Sequence, residues 1–185
     1  MRALVELFTA ARGLKTCARA GWTQRGVRRV ESVADHSFRV ALMTMMCAPL
    51  CEECVDRDRA LRMALVHDLA ECIVGDITPH DGVSETEKAR MEGEAMGDLT
   101  RALGAGGDDA RTLWEEYEAG TSAEARLVKD MDKLEMILQA QEYESEGDAG
   151  VNGRLEEFFE STRGRYRTAL GEALSEEIER RRPAA

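Results

Sequence analysis

Apolar residues recur at helical spacing along most of the chain and almost nowhere alternate as they would in strands. A stripe of Leu4, Leu7, Phe8 and Ala11 predicts a helix over residues 3–13, ended by Gly13. Periodicity lapses over residues 15–31, where Gly21, Gly26 and alternating charges indicate a loop that contains Trp22. Ser32 followed by Asp35 resembles a capping box, opening a helix with Val33, His36, Val40, Met43, Thr44 and Cys47 inward. Asp56 is the N-cap of a central helix over residues 56–74, stopped by Gly75, with Asp76 just beyond. A turn-rich loop over 75–82 leads to a polar helix from Ser84 to about Leu103, with Met91, Ala95 and Leu99 inward. After a break at 104–107, a helix over 110–119 carries Leu113, Trp114 and Tyr117 as core. Ser122 caps a helix over 123–143 with Leu127, Met131, Leu134 and Leu138 inward. A flexible break at 147–153 precedes a last helix over 155–179, amphipathic through Phe158, Phe159, Tyr166 and Leu170, and residues 180–185 fray. The class is all-α, one domain over residues 1–185.

Three polar residues interrupt the apolar run at 64–71. Leu61, Leu65, Asp68 and Cys72 share one stripe, and Ala60, Met63, His67, Glu71 and Val74 share its neighbour, so His67, Asp68 and Glu71 all point largely inward. A buried His–Asp pair commonly satisfies itself. Two carboxylates beside one imidazole are not balanced by it, however, and the simplest balancing charge is a divalent cation. His36 is a second inward histidine, and Asp132, flanking the apolar stripe of its helix, offers a further oxygen. The residues around Asp132, namely Asp130, Lys133 and Glu135, look like an ordinary solvated charge run.

Composition narrows the function classes. The net charge is −11, which argues against a nucleic-acid polymer as partner, yet up to Val30 seven basic residues face Glu6 alone. A small basic region on an acidic protein suits a compact anionic ligand. The same acid-poor start also fits a mitochondrial transit peptide, against which Trp22 belongs with the functional segment; a cytoplasmic location is the expectation. No segment approaches a membrane span. Five cysteines, an odd number, indicate reduced thiols, and Cys47, Cys51 and Cys54 on one helix face are read as packing rather than zinc ligands.

His36, His67-Asp68 and Asp132 resemble the H…HD…D signature of the HD-domain metal phosphohydrolases. Together with Trp22, the run ESVADHS at 31–37, ALVHDLAECIVGDIT at 64–78, Trp114-Glu115-Glu116-Tyr117 and Val128-Lys129-Asp130-Met131-Asp132, they resemble its 5′-deoxynucleotidase branch, over residues 4 to about 170. The resemblance implies an HD-domain helical bundle, a homodimer, and hydrolysis of deoxyribonucleoside 5′-monophosphates to nucleoside and phosphate. It implies His36, His67, Asp68 and Asp132 as ligands of one divalent metal ion (Mn²⁺, Co²⁺, Mg²⁺ or Zn²⁺), and Glu71 and Asp76 as the groups that position or deprotonate water. Trp22 is then the sugar-side wall, with Arg19, Thr78 and Lys129 as further substrate contacts. Bacterial members carry Arg directly before that Trp, whereas this chain has Gly21, with Arg19 two residues earlier. Within the same fold the alternatives are a triphosphate or cyclic-nucleotide hydrolase; outside catalysis, a helical interaction protein.

Overall fold

The axis of the fold is α8 (Ala123–Ser145), whose Leu127, Val128, Met131 and Leu134 are entirely buried. The computed structural model describes residues 1–151 and 153–182. In chain order come α1 (Arg2–Ala10), a 3-10 turn Ala11–Lys15, α2 (Ala20–Gln24), α3 (Val33–Cys47), a 3-10 turn Ala48–Leu50, α4 (Arg57–Val66) and α5 (Glu71–Val74). A 3-10 turn Pro79–Asp81, α6 (Glu85–Thr100), α7 (Ala105–Ala119), α8, α9 (Glu156–Thr162) and α10 (Ala169–Arg181) follow. Against α8 pack α3, α4, α7 and α10, forming the main core with Met63, Leu113, Leu155 and Phe159. Burying each such side chain is worth roughly 1.5–3 kcal/mol. A second, smaller core of Ala70, Ala95, Met96, Leu99 and Trp114 joins α6 and α7 to the α5 region.

The caps form as expected. Ser32 accepts from Asp35 N–H while Asp35 accepts from Ser32 N–H, and Asp56, Ser84 and Ser122 cap α4, α6 and α8 in turn. Among the described residues there is no strand, only one isolated bridge between Ala18 and Ser32. No described helix is long and apolar enough to cross a membrane.

The central helix does not run unbroken to Val74. Between α4 and α5 the N–H groups of Leu69, Glu71 and Cys72 reach back only three residues, to Val66, Asp68 and Leu69 at 3.1, 3.0 and 3.3 Å. His67 Nδ1–H meanwhile takes the Ala64 carbonyl at 2.8 Å. The tightened turn winds at about three residues per turn rather than 3.6, so it re-phases the side chains. Leu65, in α4 ahead of this turn, faces outward and is 58% exposed, so the predicted stripe that joins it to Asp68 and Cys72 does not form. The break also bridges the two cores, with Met63 and Ala64 in one and Ala70 in the other.

Other expectations need correction. The loop over 15–31 contains α2, whose first N–H, that of Ala20, is held by Asp76 at 2.7 Å. The first helix runs on into the 3-10 turn Ala11–Lys15, within which Gly13 packs where a Cβ would lie 2.5 Å from the Cys72 carbonyl oxygen. Its Leu4 and Phe8 face outward, leaving Leu7 and Ala10 against the smaller core. Helix α7 begins at Ala105 rather than residue 110, with Gly104 at φ +59° as N-cap. The last helix is two: Asp130 captures the N–H groups of Arg167 and Thr168 and the Thr168 hydroxyl at 2.8–2.9 Å, with a further Arg167 contact at 3.1 Å, and so starts α10 afresh. Arg180 and Arg181 are helical, and Arg182 is pinned to Glu144 at 2.7 Å over the Phe159 ring, so these three do not fray; Pro183, Ala184 and Ala185 lie outside the described residues. In the break at 147–153, Asp148 and Ala149 are buried, and Asp148 accepts from Arg28 N–H; Asn152 lies outside the described residues. Cys47 and Cys51 pack against the core as expected, but Cys54 is exposed.

Candidate active site

His36 enters from the first turn of α3, His67 and Asp68 from the tight turn after α4, and Asp132 from the middle of α8. His36 Nε2 stands 3.2 Å from Asp132 Oδ1 and 3.5 Å from Asp68 Oδ2, and His67 Nε2 stands 3.2 Å from Asp68 Oδ2. Charges attract at these separations, yet none is aligned as a hydrogen bond: His36 Nε2, His67 Nε2 and Asp68 Oδ2 are buried without a hydrogen-bond partner. Both imidazoles have their other nitrogen engaged, His67 Nδ1 with the Ala64 carbonyl and His36 Nδ1 with Glu135 at 2.5 Å. Each ring therefore presents Nε2 to the same point. The rings are fully buried, while the Asp68 and Asp132 side chains keep 16% and 30% exposure toward a cavity.

That is the donor set of a hard or borderline divalent cation. His36, His67 and Asp132 offer atoms within 4.8 Å of one another, so this group could hold a metal ion. Converging unpartnered atoms are costly to bury, and a cation would satisfy them together. Without one, the charges lean on each other. Burial and Arg19 push the His36 pKa down, but the neighbouring carboxylates of Asp132 and Glu135 overcome this and raise it to about 9. Burial works against the Asp68 carboxylate, and the two imidazoles still hold its pKa at about 2. Tyr117 adds a fixed donor, its hydroxyl 2.8 Å from Asp132 Oδ2.

The cavity beside this group measures about 800 Å³. Glu71 lines it with Oε2 buried and unpartnered; burial first, then the charges of Asp68 and Asp76, push its pKa up to about 10. Asp76 lines it too, but one oxygen accepts Ala20 N–H and the other faces Arg19 Nη1 at 3.7 Å. Burial opposes the Arg19 charge, and Asp76, Asp68, Asp132 and Glu71 more than restore it. Lys129 lies over the Tyr117 ring at 4.0 Å, its pKa lowered by burial. Trp22 borders the cavity but is 1% exposed, packed on Phe158 and Tyr143 at 4.2 and 5.6 Å with its indole N–H on Glu31. Thr78 is at the wall with its hydroxyl already shared among Asp81, Gln24 and His80 N–H.

A family model described as HD domain matches residues 11–174. The chain belongs to the HD domain family. Human 5′-deoxynucleotidase HDDC2 is 46% identical over 169 residues, covering 89% of this chain and 79% of the relative. The Danio rerio protein of the same name is 49% identical over 154 residues, covering 83% and 74%. Among solved structures, a conserved hypothetical protein from Pyrococcus furiosus superposes with a TM-score of 0.77 at 34% identity, covering 96% of this chain and 98% of that one. One described as a predicted metal-dependent phosphohydrolase from Magnetospirillum magnetotacticum MS-1 gives 0.74 at 29%, covering 97% and 95%.

The HD site includes residues that the sequence pattern misassigned or passed over. Tyr117 is core, as its spacing from Leu113 and Trp114 predicts, and its ring also meets His67 in a T-shaped contact at 5.2 Å while its hydroxyl serves Asp132. Glu135, taken for part of a solvated run, is fully buried behind His36. Its position three residues after Asp132 was the available signal, since that spacing shares a helix face. Lys88 of α6 lines the cavity; burial opposes its charge, and Glu92, Glu71, Asp68 and Asp76 hold it.

Proposed function

We propose that this chain hydrolyses deoxyribonucleoside 5′-monophosphates to deoxynucleoside and phosphate, using one divalent ion held by His36, His67, Asp68 and Asp132. The observation that carries this is the convergence of unpartnered imidazole and carboxylate atoms on a cavity whose walls also hold Arg19, Lys88 and Lys129. The names of the relatives at 46% and 49% identity point the same way. When bound, Mn²⁺, Co²⁺, Mg²⁺ or Zn²⁺ supplies Lewis-acid polarisation and makes water easier to deprotonate.

The chain's own residues do the rest. Glu71, four residues after His67, accepts a proton from the attacking water, because a cation held beside it would offset the Asp68 charge that adds to burial in raising its pKa and favour the carboxylate; the water oxygen forms the new bond to phosphorus as the bond to O5′ breaks. The leaving oxygen takes up the proton that Glu71 accepted and departs as the deoxynucleoside hydroxyl. Arg19 and Lys129 offset charge on the transferring phosphate, and Asp76 orients Arg19 and the start of α2. Trp22 forms the sugar-side wall, with Thr78 near it at the cavity edge.

A polyphosphate is a poorer fit, because Glu85, Glu92, Glu118 and Glu157 also line this cavity and repel added negative charge. We also assign the chain a homodimer in the cytoplasm. Phe38, Leu42, Met46 and Leu50 are exposed at four-residue spacing along α3 and the turn after it, a line that a second copy would cover. The free thiols agree with a reducing compartment. The test is product analysis with dAMP, dATP and cyclic AMP, each with the four metals in turn. Phosphate released from dAMP alone supports the assignment; release of tripolyphosphate from dATP or opening of the cyclic ester overturns it.

A further inference from the structure

Behind His36, on the side away from the cavity, lies a second acidic group that the reaction does not use. Glu135 is fully buried on α8, with one oxygen 2.5 Å from His36 Nδ1. Its other oxygen accepts Arg39 Nε–H at 2.8 Å and is ion-paired with Arg39 Nη2 at 2.7 Å. Arg39 is itself clamped by α8, donating to Glu142 at 2.7 Å and to Gln139 at 2.6 Å. His36 and Arg39 are one turn apart on α3, so a single carboxylate reads both. Glu31, His36 and Glu135 also bring ligand atoms within 4.8 Å of each other, which raises the question of a second metal site. Both Glu135 oxygens are already committed, to Arg39 and His36, and one Glu31 oxygen accepts the Trp22 indole N–H. A guanidinium at the same carboxylate repels a second cation.

We propose that Glu135 is a positioning residue which, locked by Arg39, keeps the proton of His36 on Nδ1 and leaves the Nε2 lone pair facing His67 and Asp132. This rests on the metal-site reading given above. An imidazole that ligates through one nitrogen has its tautomer fixed by what the other nitrogen binds. Arg39 makes the arrangement one-way, because its Nε–H and its guanidinium charge need an oxygen and fix which end of any replacement side chain faces them.

That property gives a sharp test. In Glu135→Gln, Arg39 claims the single amide oxygen, and the amide NH₂ is left facing His36 Nδ1. The ring must then accept at Nδ1 and carry its proton on Nε2, where it blocks the cation. Titration calorimetry with Mn²⁺ and Zn²⁺ alone, below the melting transition of each variant, should show Glu135→Gln binding about 10- to 100-fold more weakly than wild type. Glu142→Gln, which removes the charge of another Arg39 partner without touching His36, should bind normally. Equal losses in both variants, or normal binding in Glu135→Gln, overturn the proposal, as does a stoichiometry of two metals that Glu135→Gln reduces to one. No metal binding by the wild type overturns the metal-site reading instead. Should Glu135→Gln fail to fold, long-range ¹H–¹⁵N spectra of Zn²⁺-loaded wild type decide: a His36 proton on Nδ1 is the expected result, and a proton on Nε2 refutes it.

Discussion

Tyr117 on α7 donates its hydroxyl to Asp132 on α8 at 2.8 Å, across the 15 residues that separate them in sequence. The ring that carries this hydroxyl also meets His67 edge-on and lies under Lys129. One aromatic thus orients a carboxylate, borders an imidazole and holds a cation in place. Tyr117→Phe keeps the ring and removes only the donor. We expect metal affinity to fall about tenfold or more, with the fold intact by circular dichroism. Unchanged affinity would mean that Asp132 is oriented without Tyr117.

The charge balance around His36 makes stability depend on pH in opposite ways with and without metal. In the metal-free protein His36 has a pKa of about 9 against an ordinary 6.5, so its stabilising contribution is full below 6.5 and is lost as pH rises through 9. Glu71, at about 10 against 4.5, runs the same way, since folding favours its protonated form. Asp68 and Asp132 are depressed and contribute above the ordinary carboxylate pKa, losing their effect only on acidification. A metal needs His36 deprotonated, so its binding tightens over the range in which the proton is lost. Thermal melts between pH 6.5 and 9 should show Tm falling in excess chelator and holding or rising with saturating Mn²⁺. Parallel profiles would refute the linkage.

Asp130 and Asp132 sit two residues apart on α8 and do unrelated work. Asp130 is wholly buried and satisfies two backbone N–H groups and the Thr168 hydroxyl where α10 begins, with Lys133 at 3.2 Å. Asp130→Ala leaves those donors unpaired. Each hydrogen bond to a charged group is worth about 1.5–3 kcal/mol, so we expect a loss of about 3–5 kcal/mol in denaturant unfolding. Metal affinity of the folded fraction should not change. A loss below about 1 kcal/mol would show that water replaces the carboxylate.

The same pair marks how far the sequence could be read. Helical period and caps located α3, α4, α6 and α8, and the inward placement of His36, His67 and Asp68 followed from local geometry. What was not legible depends on partners distant in sequence. Asp130 and Glu135 look like surface charges until Thr168 and Arg39 are brought to them. The short α2 is anchored by Asp76, 56 residues away, and the terminal helix is cut by Asp130, 37 residues from Arg167. The tightened turn at His67 carries no Gly or Pro to announce it.

Glu71 should matter for rate more than for folding. Its Oε2 has no partner, so Glu71→Gln breaks no hydrogen bond through that atom while removing the base. We expect kcat to fall about 100-fold or more with metal content retained. The metal-free variant should also lose less stability on going from pH 5 to 9, because the amide does not titrate. Near-normal kcat would move the base to Asp76, whose oxygens would then have to leave Ala20 and Arg19.

Sugar discrimination rests on Trp22. The indole is clamped by Phe158 at 4.2 Å, Tyr143 at 5.6 Å and Glu31 at 2.9 Å, so the edge that borders the cavity cannot swing aside. A ribose 2′-hydroxyl pressed against a fixed apolar edge loses its water without gaining a partner, at a cost of roughly 1–3 kcal/mol. The wild type should therefore prefer dAMP to AMP and dCMP to CMP by about tenfold to a hundredfold in kcat/KM. Trp22→Ala is a blunt test, since losing so buried a ring costs about 3–5 kcal/mol and lowers both activities through folding. Trp22→Phe retains a ring against Phe158 and Tyr143 and draws the wall back, so the deoxy preference should narrow while the protein remains folded. A preference that survives Trp22→Phe unchanged would place the discrimination elsewhere in the cavity, and equal wild-type rates on ribo and deoxy substrates would sink the deoxynucleotidase assignment even with the metal site established.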